Sequence, residues 1–191
     1  MVLVNEIKAY YEKEKQLLEM LDFEEISKAV EAVICAYERE AQIYIFGNGG
    51  SAATASHFAN DFNKGISEYL DKKFHMVCLC DNFATLMAIA NDISYDEVFR
   101  FQLTGRLKPE DLVIGISGSG NSVNVIRAAE YAKEVGAGVV GISGFTGGRL
   151  WELSDFHMHV PVEDMQMTED LHITFDHMMY RVISNYLKTG V

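Results

Sequence analysis

Apolar positions recur at helical spacing through the first 40 residues and then change rhythm. Ile7, Tyr10, Tyr11, Leu17 and Leu18 form one stripe, with Asn5 placed to cap its start, and Ile26, Val30, Val33, Ile34 and Tyr37 form a second. Asp22, followed three residues later by Glu25, has the spacing of a capping box for that second helix. Beyond Glu40, short runs rich in β-branched and aromatic residues fall at 42–46, 74–80, 112–116, 138–143 and 156–160. Helical stretches lie between and after them, at 52–63, 83–91, 96–107, 122–135, 148–153 and 168–188. The short runs are almost continuously apolar, as strands covered on both faces must be. Strands alternating with helices predict right-handed βαβ units, and hence an α/β fold with a doubly wound, five-stranded parallel sheet flanked by helices. No repeat, linker or shift of composition divides the chain, so residues 1–191 read as one domain. Residues 1–40 read as a helical extension whose apolar faces exceed what one sheet covers, which places them at a subunit interface.

Sixteen Lys and Arg stand against 28 Asp and Glu, a formal charge of −12. Such a surface repels phosphate backbones and anionic lipid, which argues against nucleic acid and membrane partners. No apolar run approaches the roughly 20 residues that span a bilayer. The N-terminus turns acidic at Glu6 with no basic segment ahead of an apolar core, so no secretory leader is expected. Cys35, Cys78 and Cys80 make no disulfide framework. Cys78 and Cys80 read as small apolar residues on one face of a buried strand, in a reducing cytoplasm.

In open α/β sheets, ligands bind beyond the carboxyl ends of the strands. Gly47-Asn48-Gly49-Gly50-Ser51 directly follows the first run, and Ser117-Gly118-Ser119-Gly120-Asn121-Ser122 follows the third. Glycine lets the backbone approach a ligand, and the helix N-terminus that follows offers unpaired amides to an anion. The dinucleotide spacing G-x-G-x-x-G fails at both places and no Walker lysine follows either. What remains is a monophosphate cradle of neutral donors, with a plain strand-to-helix turn as the alternative. His57 and Asp61, four apart on the helix after the first loop, share a face and are candidates for a joint metal or acid–base role, or for an ordinary side-chain pair. Near the C-terminus stand Glu169, His172 and His177. From Glu169 to His177 is about 12 Å of helical rise. Both reach one ion only if the helix begins after Glu169 or both side chains extend toward it. His172 is about 140° around the helix from His177 and would not share its ligand. His75, His157 and His159 fall in or beside strands and read as structural.

Taken in order, Gly47-Asn48-Gly49-Gly50-Ser51, His57-Phe58-Ala59, Asn91-Asp92, the serine loop 117–122, and His172 with His177 resemble the sugar isomerase (SIS) domain, and within it the bacterial phosphoheptose isomerases. The resemblance covers nearly the whole chain. It implies a five-stranded parallel sheet assembled as a homotetramer, with active sites between subunits. It places substrate binding on Asn48, Gly49, Gly50, Ser51, Asp61, Asn91, Asp92, Ser117, Gly118, Ser119, Ser122 and Glu169, with the serine loop on the phosphate. It places a zinc ion on His57, Asp61, Glu169 and His177, where the family has Glu in place of Asp61 and Gln in place of Glu169. The implied reaction is an aldose–ketose isomerisation, sedoheptulose 7-phosphate to D-glycero-D-manno-heptose 7-phosphate. Asp61 would take the proton beside the carbonyl, and His177 would serve the oxygens. Alternatives on the same scaffold are isomerisation of another sugar phosphate, a sugar-phosphate sensor, and a non-catalytic tetramer that binds a partner such as a replication initiator.

Overall fold

Residues 2–189 are described by a computed structural model. Five parallel strands, β1 (Ile43–Gly47), β2 (Met76–Cys78), β3 (Leu112–Ser117), β4 (Gly138–Ser143) and β5 (Phe156–His159), lie in the order β2-β1-β3-β4-β5. The register pairs Ile43 with Leu112 and Ser117 with Ser143, so the loops after β1, β3 and β4 emerge at one edge. Side chains alternate across the sheet as the two-residue period requires. Ile43, Ile45, Leu112 and Ile114 face one apolar cluster, and Tyr44, Phe46 and Val113 face the other.

Helices cover both faces. The first cluster packs α2 (Phe23–Glu38), α3 (Gly50–Asn60) and α8 (Met165–Thr189), through Val33, Phe58, Phe175 and Met179. The second packs α5 (Arg100–Leu103), α6 (Val123–Val135) and α7 (Gly148–Leu153), with Phe99, Val125 and Leu150 inside. α4 (Phe83–Asp92) adds Ile89 to that second cluster. Each such large side chain stabilises the fold by roughly 1.5–3 kcal/mol.

Asp22 caps α2 by accepting from the Glu25 amide at 3.1 Å, as its spacing predicts. Asp22→Ala is expected to lower stability by about 1 kcal/mol in urea denaturation, with an unchanged denaturant slope. α1 (Val2–Glu19) differs from expectation at its start, for it already runs as helix at Asn5. Nothing in Val2-Leu3-Val4 stops a helix, so Asn5 is an interior residue and not a cap. Within α1 only Leu17 is buried, while Leu3, Ile7 and Tyr11 stand open to solvent. The helix is held to α8 by Tyr10, which donates to Asp170, and to the segment before α8 by Lys13, 2.6 Å from Asp164.

Two further predicted elements are broken. The 96–107 helix is a 3₁₀ turn at Tyr95–Glu97 followed by the short α5. Val98 and Phe99 both pack into the second apolar cluster, and Glu97 is pinned to Arg127 at 2.6 Å, which fixes the turn ahead of α5. The 52–63 helix passes at Asp61 into a π-turn, Asp61–Ile66. Such widened turns are frequent at functional sites. The predicted strand face of Cys78 and Cys80 also divides: Cys78 is buried in β2, whereas Cys80 lies past the strand, half-buried, with its thiol donating to the Gly47 carbonyl at 3.3 Å.

Candidate active site

The glycine loop and the serine loop sit side by side where β1 and β3 end. Asn48 Nδ2 donates to Asn124 Oδ1 at 2.8 Å, and Asn124 Nδ2 donates back to Asn48 Oδ1 at 2.9 Å. Tyr95 adds its hydroxyl to Asn48 Oδ1 at 2.8 Å. This reciprocal amide pair clamps the first loop to the first turn of α6. Beside the glycine loop opens a cavity of about 200 Å³, lined by Asn48, Gly49, Cys80, Phe83 and Met87 among others.

In the serine loop, Ser117 Oγ donates to Ser122 Oγ at 3.1 Å, and Ser119 Oγ accepts from the Asn121 amide. Ser122 is the N-cap residue of α6, yet its side chain makes no capping bond. Of the first-turn amides, that of Val125 is taken by Asn124 Oδ1 at 3.0 Å, so any anion would meet those of Val123 and Asn124. Behind this loop Gly118 is pressed against Met165 and Thr168 at the start of α8, and its carbonyl accepts from the Gly144 amide at 2.8 Å. Asn91 and Asp92 end α4, exposed and bonded to each other at 2.8 Å.

α3 and α8 touch at two levels. At the first, the Glu169 carboxylate lies flat on Gly50, so close that a β-carbon there would come within 2.8 Å of both carboxylate oxygens. Its charge rests on the N-terminal turn of α3, where the helix dipole favours an anion. Two turns on, His57 Nε2 and His177 Nε2 are 3.2 Å apart. His57 Nε2 is also 3.7 Å from Asp61 Oδ2 and 3.6 Å from Asp176 Oδ2. One ligand atom from each of His57, Asp61, Asp176 and His177 falls within 4.8 Å of the others. Glu169 is not among them. Since α8 already starts at Met165, Glu169 is inside the helix and about 12 Å of rise from His177.

Asp176 is fully buried, and neither of its carboxylate oxygens has a hydrogen-bond partner. Burial pushes its carboxyl up to about 7, with the nearby Asp61 charge adding to the rise. His172, buried on another side of α8, likewise leaves both ring nitrogens without a partner. Burial pushes its imidazole down to about 4, and the His159 ring adds to the effect. The unfolded chain, at 6.5, then takes up the proton first. The stabilisation is complete above pH 6.5 and is lost as the pH falls toward 4. His172 alone therefore lowers unfolding free energy by about 2 kcal/mol between pH 7 and pH 5, while Asp176, whose carboxyl is raised, adds a rise of similar size over the same range. Relative to the parent, His172→Met is expected to remove the His172 fall in parallel urea titrations. An unchanged slope would remove His172 as its source. Of the histidines read as structural, His157 stacks on Trp151 and His159 bonds Ser143 Oγ at 3.1 Å.

Asp176, Asn124, Tyr95 and Thr168 were not singled out by sequence. For Asp176 a signal existed: an acid between Phe175 and His177 on a helix whose neighbouring positions are apolar.

A model of the SIS domain matches residues 9–144. The phosphoheptose isomerase of Aliarcobacter butzleri is 35% identical over 185 residues, covering 97% of either chain. That of Helicobacter pylori is 37% identical over 181 residues, covering 95% of this chain and 93% of its own. The chain belongs to the SIS domain family, among the phosphoheptose isomerases. A solved phosphoheptose isomerase from Neisseria gonorrhoeae superposes with a TM-score of 0.87 at 29% identity, covering 96% of this chain and 99% of that one. The two loops lie within the residues matched to the SIS domain, at strand ends of the kind where open α/β sheets bind ligands, and α8 lies beyond them.

Proposed function

We propose that the protein is an aldose–ketose isomerase that converts sedoheptulose 7-phosphate to D-glycero-D-manno-heptose 7-phosphate. The observation that carries the assignment is the His57–Asp61–His177 cluster, assembled on the α3–α8 seam in a chain 35–37% identical to phosphoheptose isomerases over nearly its full length.

The substrate's phosphate is held by the Ser117, Ser119 and Ser122 hydroxyls and the first amides of α6. The glycine loop is the poorer phosphate site because Glu169 already sets a negative charge on α3 there. The sugar chain runs past Asn48, Gly49, Gly50 and Ser51, with Glu169, Asn91 and Asp92 as further polar contacts. Asp61 removes the proton from the carbon beside the carbonyl, giving an enediol, and returns it to the neighbouring carbon. His177 moves the accompanying proton between the two oxygens. His57 and His177 present ring nitrogens and Asp61 a carboxylate oxygen, a donor set suited to zinc. Zinc bound there would polarise the carbonyl and stabilise negative charge on the oxygens.

Active sites shared between subunits of a tetramer follow from the same assignment. The exposed Leu3, Ile7 and Tyr11 of α1 support it, since they offer apolar surface to a second copy. Light scattering at micromolar concentration is expected to give four chains. No helix among the described residues is long and apolar enough to cross a membrane, and a cytoplasmic setting fits a phosphorylated substrate.

The deciding assay incubates purified protein with sedoheptulose 7-phosphate, with zinc and separately with chelator. Turnover that chelator removes and zinc restores is the expected result. Turnover untouched by chelator would confine the cluster to acid–base work. Binding of the sugar phosphate without turnover would overturn the heptose assignment in favour of another phosphosugar.

A further inference from the structure

Asp176 has no place in the catalytic scheme above, yet it is the most costly side chain in the site. A carboxylate with no exposed surface and no donor on either oxygen is destabilising unless something positive meets it. What it faces is the ring nitrogen of His57, 3.6 Å from Oδ2, and beyond that the Asp61 and His177 ligand atoms. A four-coordinate ion with bonds of about 2.0–2.2 Å holds its ligand atoms about 3.3–3.6 Å apart. The separations at this cluster are 3.2 Å for His57 to His177, 3.6 Å for His57 to Asp176 and 3.7 Å for His57 to Asp61. Three edges from one ligand atom therefore lie within about 0.1 Å of the lengths of a tetrahedron. Glu169, packed on Gly50 two helical turns away, supplies none of them.

We infer that Asp176 is a ligand of the divalent cation, completing with His57, Asp61 and His177 a two-histidine, two-aspartate site within one chain. Glu169 is then released to the sugar side of the site. The inference rests on the isomerase assignment only for the cation's presence in this cluster, and it concerns the ligand set, which can be read without turnover. Asp176 and His177 are consecutive residues in the middle of α8, so the helix backbone fixes the two ligands from α8 relative to each other. The ligands from α3 and its π-turn close on them from across the seam.

The test measures zinc binding to the full-length protein by competition with a chromogenic chelator, and the visible spectrum after cobalt(II) replaces zinc. Asp176→Asn, which keeps the shape and removes the charge, is expected to weaken zinc at least about 100-fold, beyond the 10–100-fold seen when only an outer-shell partner is lost. It should also lower the intense cobalt absorption of a four-coordinate site. Glu169→Ala should bind zinc as tightly as the parent and keep the cobalt spectrum. Asp176→Leu serves if the amide disturbs folding: without zinc it should melt no lower than the parent, and zinc should no longer raise its melting temperature. Unchanged zinc affinity in Asp176→Asn, or loss of zinc in Glu169→Ala alone, would overturn the ligand set while leaving the isomerase assignment standing. A parent protein that binds no divalent ion would overturn the ligand set, and isomerase turnover in that same preparation would show that the activity stands without it.

Discussion

Asp61→Asn is expected to reduce turnover of sedoheptulose 7-phosphate by about 10²–10⁴-fold, the range a positioned general base supplies. The asparagine keeps the size of the side chain and an oxygen near His57 Nε2, where Asp61 Oδ2 stands at 3.7 Å, but it cannot accept a proton. With the phosphate on the serine loop, as proposed, KM should move far less than kcat, the pattern of an interaction used in the transition state. Metal content measured on the same preparation separates the two roles of this residue. Loss of turnover with zinc retained assigns the loss to proton transfer. Loss of both leaves Asp61 a ligand whose contribution as base must be read from Asp61→Glu. That longer carboxylate can still bind and still take a proton, so it should keep turnover within about 10²-fold of the parent, the cost of a misplacement near an ångström. His177→Ala should lose turnover to a similar extent as Asp61→Asn. If neither substitution lowers turnover, the cluster is not the catalytic centre.

The layout of this site was legible in the chain to the extent that it depends on spacing. The Gly47–Ser51 and Ser117–Ser122 loops follow strands directly, and His57 and Asp61 are one turn apart, so local periodicity alone brought each group to the correct end of the sheet. Asp176 was hidden for the opposite reason. Its role depends on α8 lying along α3, with Gly50 against Glu169 at one level and His57 against His177 at the next. That pairing joins residues 120 positions apart in sequence. Sequence spacing within α8 did state the obstacle, an eight-residue gap between Glu169 and His177, and the helix starting at Met165 leaves a shared ion only if both side chains extend toward it. The same limit applied to α5. Its pattern looked helical, but long-range contacts, the packing of Phe99 into the second cluster and the Arg127–Glu97 pair from α6, set the backbone instead. Asn124, too, is an ordinary helix residue until Asn48 is placed opposite it.

Gly120→Ala should be among the most damaging single-methyl changes in the protein, and Gly105→Ala shows why. Both glycines hold a left-handed backbone, at φ +68° and +74°. Both substitutions therefore carry a conformational cost of roughly 1–2 kcal/mol. At Gly105 nothing stands within 4 Å of the added methyl, so that cost is the whole effect. At Gly120 the methyl would overlap the carbonyl of Gly147, and backbone cannot swing aside as a flexible side chain can. Gly120 is fixed from both sides, its amide donating to the Ser117 carbonyl and its own carbonyl accepting from the Leu150 amide, each at 2.9 Å. Relief of the overlap must separate the serine loop from the loop that starts α7. The expected loss is about 3–5 kcal/mol, in the range of the strongest single-site effects. At roughly 2–4 °C per kcal/mol for a chain of this size, the melting temperature should fall by about 6–20 °C, against about 2–8 °C for Gly105→Ala. Because Ser117, Ser119 and Ser122 lie on the displaced loop, any folded Gly120→Ala protein should also lose affinity for phosphosugar, while Gly105→Ala should bind it as the parent does. Equal melting temperatures for the two variants would mean that the close packing of the two loops contributes nothing beyond backbone conformation, and would remove the tie between loop position and phosphate binding.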